Sequence, residues 1–328
     1  MLKVSLLFSV ISCVLILASC QPALSTDPVE DRVTNVRLSM GYIPNVQFAP
    51  FYVGVEKGFF REAGIEIDFD HGFETDGVTL VGNNTLQFGV VSGEQVILAR
   101  AQGLPVVYVM DWYQDYPVAI AAKKSVNIGT PEDLESKQIG IPGLFGASYI
   151  GLRALLDAAN LSESQVSLPV VGYNQVEALA LDQVDAAVIY TNNEPIQLQA
   201  LGYEIDLLPV GEYIDLPSNG LITNEVTVQE NSDLVRRMVQ ATLKSIVYTI
   251  DHSEESFEIC KEYVENLAQA DQVVQYQVLL ASIDLWKSDQ PGYSRAVAWE
   301  NMRTLLLNMG LLKQEINLDE AFSNDFVE

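Results

Sequence analysis

Basic side chains are scarce: 18 Lys and Arg stand against 44 Asp and Glu, only two His occur, and the net charge is −26. Without a basic footprint to neutralise phosphates, a nucleic-acid partner is excluded, and adhesion to anionic lipid heads is disfavoured. Two histidines (His71, His252) and three cysteines, none at ligand spacing, cannot assemble a His/Cys metal cluster, and no metal or cofactor is expected. Both histidines read as solvated loop or helix residues. There is no P-loop, no G-x-S-x-G and no H-E-x-x-H, so the inventory for catalysis is thin. Long apolar runs are missing too. The one uncharged run, Val4 to Leu17 after Lys3, is too short to span a bilayer and has the form of a secretory h-region. Cys13 lies inside it, leaving Cys20 and Cys260, too few for a disulfide framework. Cys260, in the helical pattern E-I-C-K-E, reads as a buried, inert thiol.

What is present is a chain of 328 residues, 48% hydrophobic and 19% charged, the composition of a globular protein with room for two domains. The apolar run ends Leu17-Ala18-Ser19-Cys20, which resembles a bacterial lipobox. That resemblance implies removal of residues 1–19 and acylation of Cys20, a lipid anchor that places the body outside the cytoplasm on the cell membrane. Residues 20–34 are polar and aperiodic and read as a tether.

The organising stretch is Met40 to Gly64. A short strand, Asn35 to Ser39, breaks at Gly41 and Pro44 before a helical pattern carrying Phe51, Tyr52, Val55 and Phe59. Gly58 and Gly64 read as a helix end and a turn into the strand Ile65 to Phe69, with Phe59 and Phe60 as core. A turn-rich loop over 70–77 and a strand to Val91 follow. Ser92 is placed to cap the helix Val96 to Gln102, with Glu94 in its first turn. Alternation continues through Val106 to Met110, Val118 to Ala122, Gln138 to Ile141 and Ala186 to Tyr190, predicting a mainly parallel α/β architecture. Val235 to Gly310 is largely helical, with Trp286 and Trp299 in amphipathic patterns.

Two aperiodic stretches, 111–117 and 207–215, read as crossings between domains. They define a first domain of 35–110 with 216–328 and a second of 111–215. Aromatic and amide side chains gather at the strand-to-helix loops: Tyr42, Asn45, Phe48, Trp112, Tyr113, Tyr116, Phe145, Tyr149, Tyr190, Asn192, Asn193 and Glu194. Such a set suits a flat heterocycle, rings for stacking and amides or a carboxylate for its edge. Arginine is rare there, which argues against a carboxylate, sulfonate or phosphate ligand.

Glu56 to Phe69, E-K-G-F-F-R-E-A-G-I-E-I-D-F, is similar to a signature of ABC-transporter solute-binding lipoproteins of the thiamine-pyrimidine-precursor and sulfonate-binding family. Leu181 to Val188, L-D-Q-V-D-A-A-V, resembles a second element of the same proteins. The resemblance implies a two-domain, type II periplasmic-binding-protein-like fold with a hinge and an interdomain cleft, and a membrane permease as partner. Pyrimidine-precursor binders of this family tend to carry W-x-P-N-x-x-H where this chain has Tyr42, Pro44, Asn45 and Phe48. Exchange of Trp for Tyr and of His for Phe points to a larger, less basic ring, with riboflavin the best choice and a thiamine aminopyrimidine precursor the alternative. The family's eukaryotic relatives are pyrimidine synthases that consume their own active-site histidine. Phe48 at that position removes such chemistry and leaves an enzyme as the rival class. On this reading Tyr42, Phe48, Trp112 and Tyr113 stack, while Asn45, Asn192, Asn193 and Glu194 form hydrogen bonds.

Overall fold

The computed structural model describes residues 33–328; the signal segment, Cys20 and the tether up to residue 32 lie outside the described residues. Among the described residues nine strands form: β1 (Thr34–Met40), β2 (Ile65–His71), β3 (Phe88–Ser92), β4 (Val106–Asp111), β5 (Val118–Lys123), β6 (Ile139–Gly140), β7 (Ala186–Tyr190), β8 (Ile205–Pro209) and β9 (Asn219–Asn224). They make two sheets, one ordered β2-β1-β3-β9-β4 and the other β6-β7-β5-β8. Each sheet is the centre of one lobe of an α/β architecture. The chain leaves the first sheet after Asp111, and returns after Pro209 to lay β9 between β3 and β4.

The sheets are mixed rather than mainly parallel. Three pairings, β1 with β2 and β3 and β6 with β7, are parallel, and four are antiparallel. Parallel pairs need a helical crossover inside one lobe. A strand arriving from the other lobe has none, and β9 runs against both its neighbours. β3, β4 and β9 are buried along their whole length, as expected of strands covered on both faces.

The helix Ser232–Asp251 covers the first sheet, burying Leu234, Val235, Met238, Val239, Ala241, Thr242, Ser245, Ile246 and Thr249 at helical spacing. Its start is capped by Asn231, whose side chain accepts from the Leu234 amide. Trp286, Trp299 and Cys260 are buried, and desolvation pushes the Cys260 thiol far up.

Several local expectations change. The stretch 70–77 is not a loop: β2 runs to His71, and a helix, Glu74–Gly82, begins almost at once. Polar Glu74, Thr75 and Asp76 mask the apolar period, which shows only from Val78 to Val81. The helix after Pro50 stops at Glu56, because Gly58 adopts φ 75°, and Phe59 heads a short separate turn. Phe59 is half-buried instead of core, with Lys244 Nζ 4.3 Å above its ring. Leu207 to Pro209 still belongs to β8, so the second crossing lies between Pro209 and Asn219. His71 is not a solvated residue: it closes β2 and donates from Nδ1 to the Tyr42 carbonyl at 2.9 Å.

Candidate functional site

The carboxyl ends of β1, β2, β3, β6 and β7 face a cleft between the two sheets, where open α/β folds place ligands. Its non-atom space is about 900 Å³ with the open solvent at the mouth included. The first lobe lines it with Gly41, Tyr42, Gln47, Phe48, Phe73, Glu74, Val90 and Asn219, and the second with Pro142, residues 145–148, Tyr173, Gln175, Tyr190, Asn193 and Glu194. Trp112 and Tyr113, on the first crossing, complete the wall.

The apolar part of the wall is assembled in advance. After β1 the chain turns at Asn45, whose side chain accepts from the Gln47 amide at 3.0 Å and so turns Gln47 and Phe48 inward. Phe48 stacks near-parallel on Trp112 with centroids 5.2 Å apart, and Trp112 has a second near-parallel neighbour in Trp286 at 6.2 Å. Tyr113 leans on Trp112 at 4.6 Å. Phe48, Trp112 and Tyr113 are all buried, so they form a fixed aromatic floor. The mouth is made by two edge-on pairs, each with one ring from each lobe: Tyr42 with Tyr173 at 4.7 Å, and Phe73 with Phe145 at 5.9 Å. Phe73, Phe145 and Tyr173 remain exposed.

The polar part is a continuous chain of hydrogen bonds. Tyr190 donates to Asn219 Oδ1 (3.2 Å), and Asn219 Nδ2 donates to Glu74 Oε1 (2.9 Å). The Ser92 amide donates to Glu74 Oε2 at 3.0 Å. Ser92 Oγ lies 2.5 Å from Glu74 Oε2 and 2.5 Å from Glu94 Oε1. A hydroxyl has one hydrogen, so Ser92 donates to one carboxylate and accepts from a proton held by the other. Burial, together with the charge of Glu94, raises Glu74, and burial raises Glu94, which keeps that proton in place near neutral pH. Ser92 does stand at the N-cap of the helix Gly93–Ala101, but its hydroxyl makes no cap bond because the two carboxyls take it.

Glu74 can come this close because Gly41 has no side chain: a Cβ there would collide with Glu74 Cγ. Across the cleft, Glu194 accepts from the Tyr190 amide (2.9 Å) and Asn193 Nδ2 (3.3 Å), and burial pushes its carboxyl up to about 7. The lining contains no Lys, Arg or His, and among the described residues no group of three His, Cys, Asp or Glu could hold a metal ion.

Eight of the residues singled out from sequence line this cleft: Tyr42, Phe48, Trp112, Tyr113, Phe145, Tyr190, Asn193 and Glu194. Four stand behind or away from it. Asn45 is spent on the turn. Tyr116 donates to the Ala147 carbonyl at 2.8 Å and so ties down the start of the helix Gly146–Ala158. Tyr149 sits one turn into that helix, which begins at Gly146, and donates to Glu163 at 2.7 Å. Asn192 braces Tyr113 from behind, donating to its hydroxyl at 3.1 Å and to Ser282 Oγ at 2.7 Å. Sequence reasoning missed Gln47, Phe73, Glu74, Tyr173, Gln175 and Asn219. Glu74 was hidden by the loop reading; an acid in a helix's first turn directly after a strand is the signal that finds it.

A two-sheet α/β body with the ligand cleft between its lobes defines a periplasmic-binding-protein-like fold of the type II solute-binding class. The alkanesulfonate-binding protein SsuA of Xanthomonas axonopodis, solved with MOPS bound, superposes with TM-score 0.69 at 14% identity, over 89% of this chain and 98% of that one. The model of the family described as NMT1/THI5 like matches residues 45–256, and the chain belongs to that family. It is 36% identical to the riboflavin-binding protein RibY of Chloroflexus aurantiacus, over 93% of this chain and 89% of that protein. It is 27% identical to the formylaminopyrimidine-binding protein of Halalkalibacterium halodurans, over 97% and 98%. The 36% identity to a solute-binding protein exceeds the 23% identity to the 4-amino-5-hydroxymethyl-2-methylpyrimidine phosphate synthase of Legionella pneumophila, which matches over 90% of this chain and 92% of that protein.

Proposed function

We propose that the chain captures riboflavin outside the cytoplasm, anchored by a lipid on Cys20, and delivers it to the membrane permease of an ABC importer. The observation that carries this reading is the cleft lining: a broad aromatic floor, amides and carboxyls around it, and no basic side chain. An isoalloxazine offers a large face for the rings, and its pyrimidinedione edge and sugar-alcohol chain offer donors and acceptors for Gln47, Asn193, Asn219 and the two glutamates. The relationship to RibY at 36% identity supports the same choice.

A second reading has its own support. Glu194, buried, and Glu74, half-buried, both present carboxyls to the cleft, good partners for the N–H-rich edge of an aminopyrimidine, and one relative is named for binding such a compound. The residues on either side of 111–117 and of the second crossing would act as two bodies closing on the ligand.

Titration of the secreted body, residues 21–328, with riboflavin decides between them. Saturable quenching of flavin fluorescence that excess aminopyrimidine does not reverse supports the vitamin reading. No quenching, with a thermal shift from the pyrimidine instead, transfers the protein to thiamine-precursor uptake.

A further inference from the structure

We propose that the cleft selects its ligand by charge, accepting the neutral alcohol and rejecting the phosphate ester of the same molecule, and that Glu74 is the specificity-determining residue. The proposal deepens the riboflavin reading and rests on it only for the choice of ligand pair.

The ionisable lining of the cleft is acidic alone: Glu74 from the first lobe and Glu194 from the second. Glu94 lies directly behind, linked through Ser92, and its Oε2 is buried without a hydrogen-bond partner. Arg100 is paired with Glu225 and Glu320, and Arg153 with Glu163. No side chain in the cleft is left to neutralise a phosphate.

Glu74 is also fixed. Asn219 holds one carboxyl oxygen and Ser92 holds the other from two directions, so the group cannot swing away from an incoming anion. What it can still do is accept a hydrogen bond from a ligand hydroxyl or N–H. A sugar alcohol supplies such donors. A phosphate dianion supplies none, finds no cation in the lining, and meets the one negative charge that Glu74 and Glu94 keep between them across Ser92.

One feature of the cleft does favour anions. Residues 146–148 open the helix Gly146–Ala158, which has no side-chain cap and no acid in its first turn. That end does not escape the glutamate. Phe145, just before the helix, packs edge-on against Phe73, and Phe73 immediately precedes Glu74. The two helix starts therefore face one another, and an anion at one meets the carboxyl at the other. The backbone N–H groups of 146–148 remain suited to a neutral carbonyl.

The test compares riboflavin with riboflavin 5′-phosphate by fluorescence titration at pH 7.5 on the wild-type protein and on Glu74→Gln and Glu194→Gln. The wild type is expected to prefer the free vitamin by about 100-fold or more. Glu74→Gln is expected to narrow that preference at least tenfold, and Glu194→Gln to narrow it less. The ratio of the two affinities is the readout, so a general loss of binding in a variant does not imitate the effect. Binding of both flavins within threefold in the wild type overturns the proposal. A preference that neither variant alters overturns the role of Glu74. If neither flavin binds but a hydroxymethyl aminopyrimidine does, the riboflavin reading falls by itself. The alcohol and its phosphate ester then decide charge selection: preference for the alcohol sustains it, and equal binding overturns it.

Discussion

Tyr42 and Tyr173 meet edge to face across the cleft, with ring centroids 4.7 Å apart and planes at 85°. One ring follows the first strand and the other belongs to the opposite lobe, so the contact exists only while the lobes are together. Aromatic pairs of this kind contribute about 0.5–1.5 kcal/mol beyond their burial. Tyr173→Ala is therefore expected to weaken ligand binding about 2- to 10-fold, with a faster off-rate measured by stopped-flow fluorescence. An unchanged off-rate would remove the pair from any role in closure.

Gly41→Ala tests how tightly the carboxyl network is seated. The new methyl group must displace Glu74, and forced overpacking of this kind costs about 1–3 kcal/mol. The expected result is a lower melting temperature together with at least a tenfold loss of affinity. A variant that melts and binds like the wild type would mean that Glu74 has an alternative place to go.

Stability should fall as the pH rises through the neutral range. Burial lifts Glu194 from 4.5 to about 7 and Asp111 from 3.8 to about 7, and it lifts Glu74 as well. Between the unfolded and folded values the native state holds protons that the unfolded chain has lost. The stabilisation is thus complete below about pH 4 and disappears as the pH climbs through 7. Melting temperatures measured from pH 4.5 to 8.5 should decline, and Glu194→Gln should flatten the curve. A profile that rises across this range contradicts the assignment of these buried acids as protonated.

Tyr149→Phe is the negative control within the set of aromatics chosen from sequence. Its hydroxyl pairs with Glu163 and Arg153, away from the cleft. Affinity is expected to stay within twofold, checked by the same flavin titration, while the loss of a partly exposed hydrogen bond costs about 1 kcal/mol or less of stability.

The contrast between Tyr149 and Glu74 indicates how much of this protein was legible in its sequence. Strand and helix periods located β1, β4, β5 and β7 closely, and with them the loops that carry Tyr42, Trp112 and Asn193. Local pattern does not report direction, however. An aromatic three residues past the true helix start rotates out of the site, as Tyr149 does. Glu74 and Asn219 were invisible for another reason: their meeting depends on β9 returning from the other lobe, a pairing no local window contains. Tyr173 likewise becomes a site residue only when the two lobes are brought together.

The position of β9 sets an order on the chain's own maturation. Gly89 pairs with Ile222 and Val107 with Thr223, so β3 and β4 cannot be joined until the whole second lobe has been synthesised. β5 to β8 form their sheet from one uninterrupted segment and are free to close earlier. In the meantime two mostly apolar strands wait with unsatisfied edges, the state in which chains stick to one another. A chain cut short before Asn219 would keep its smaller sheet intact and still be prone to aggregate, because the gap at the centre of the larger sheet would never be filled.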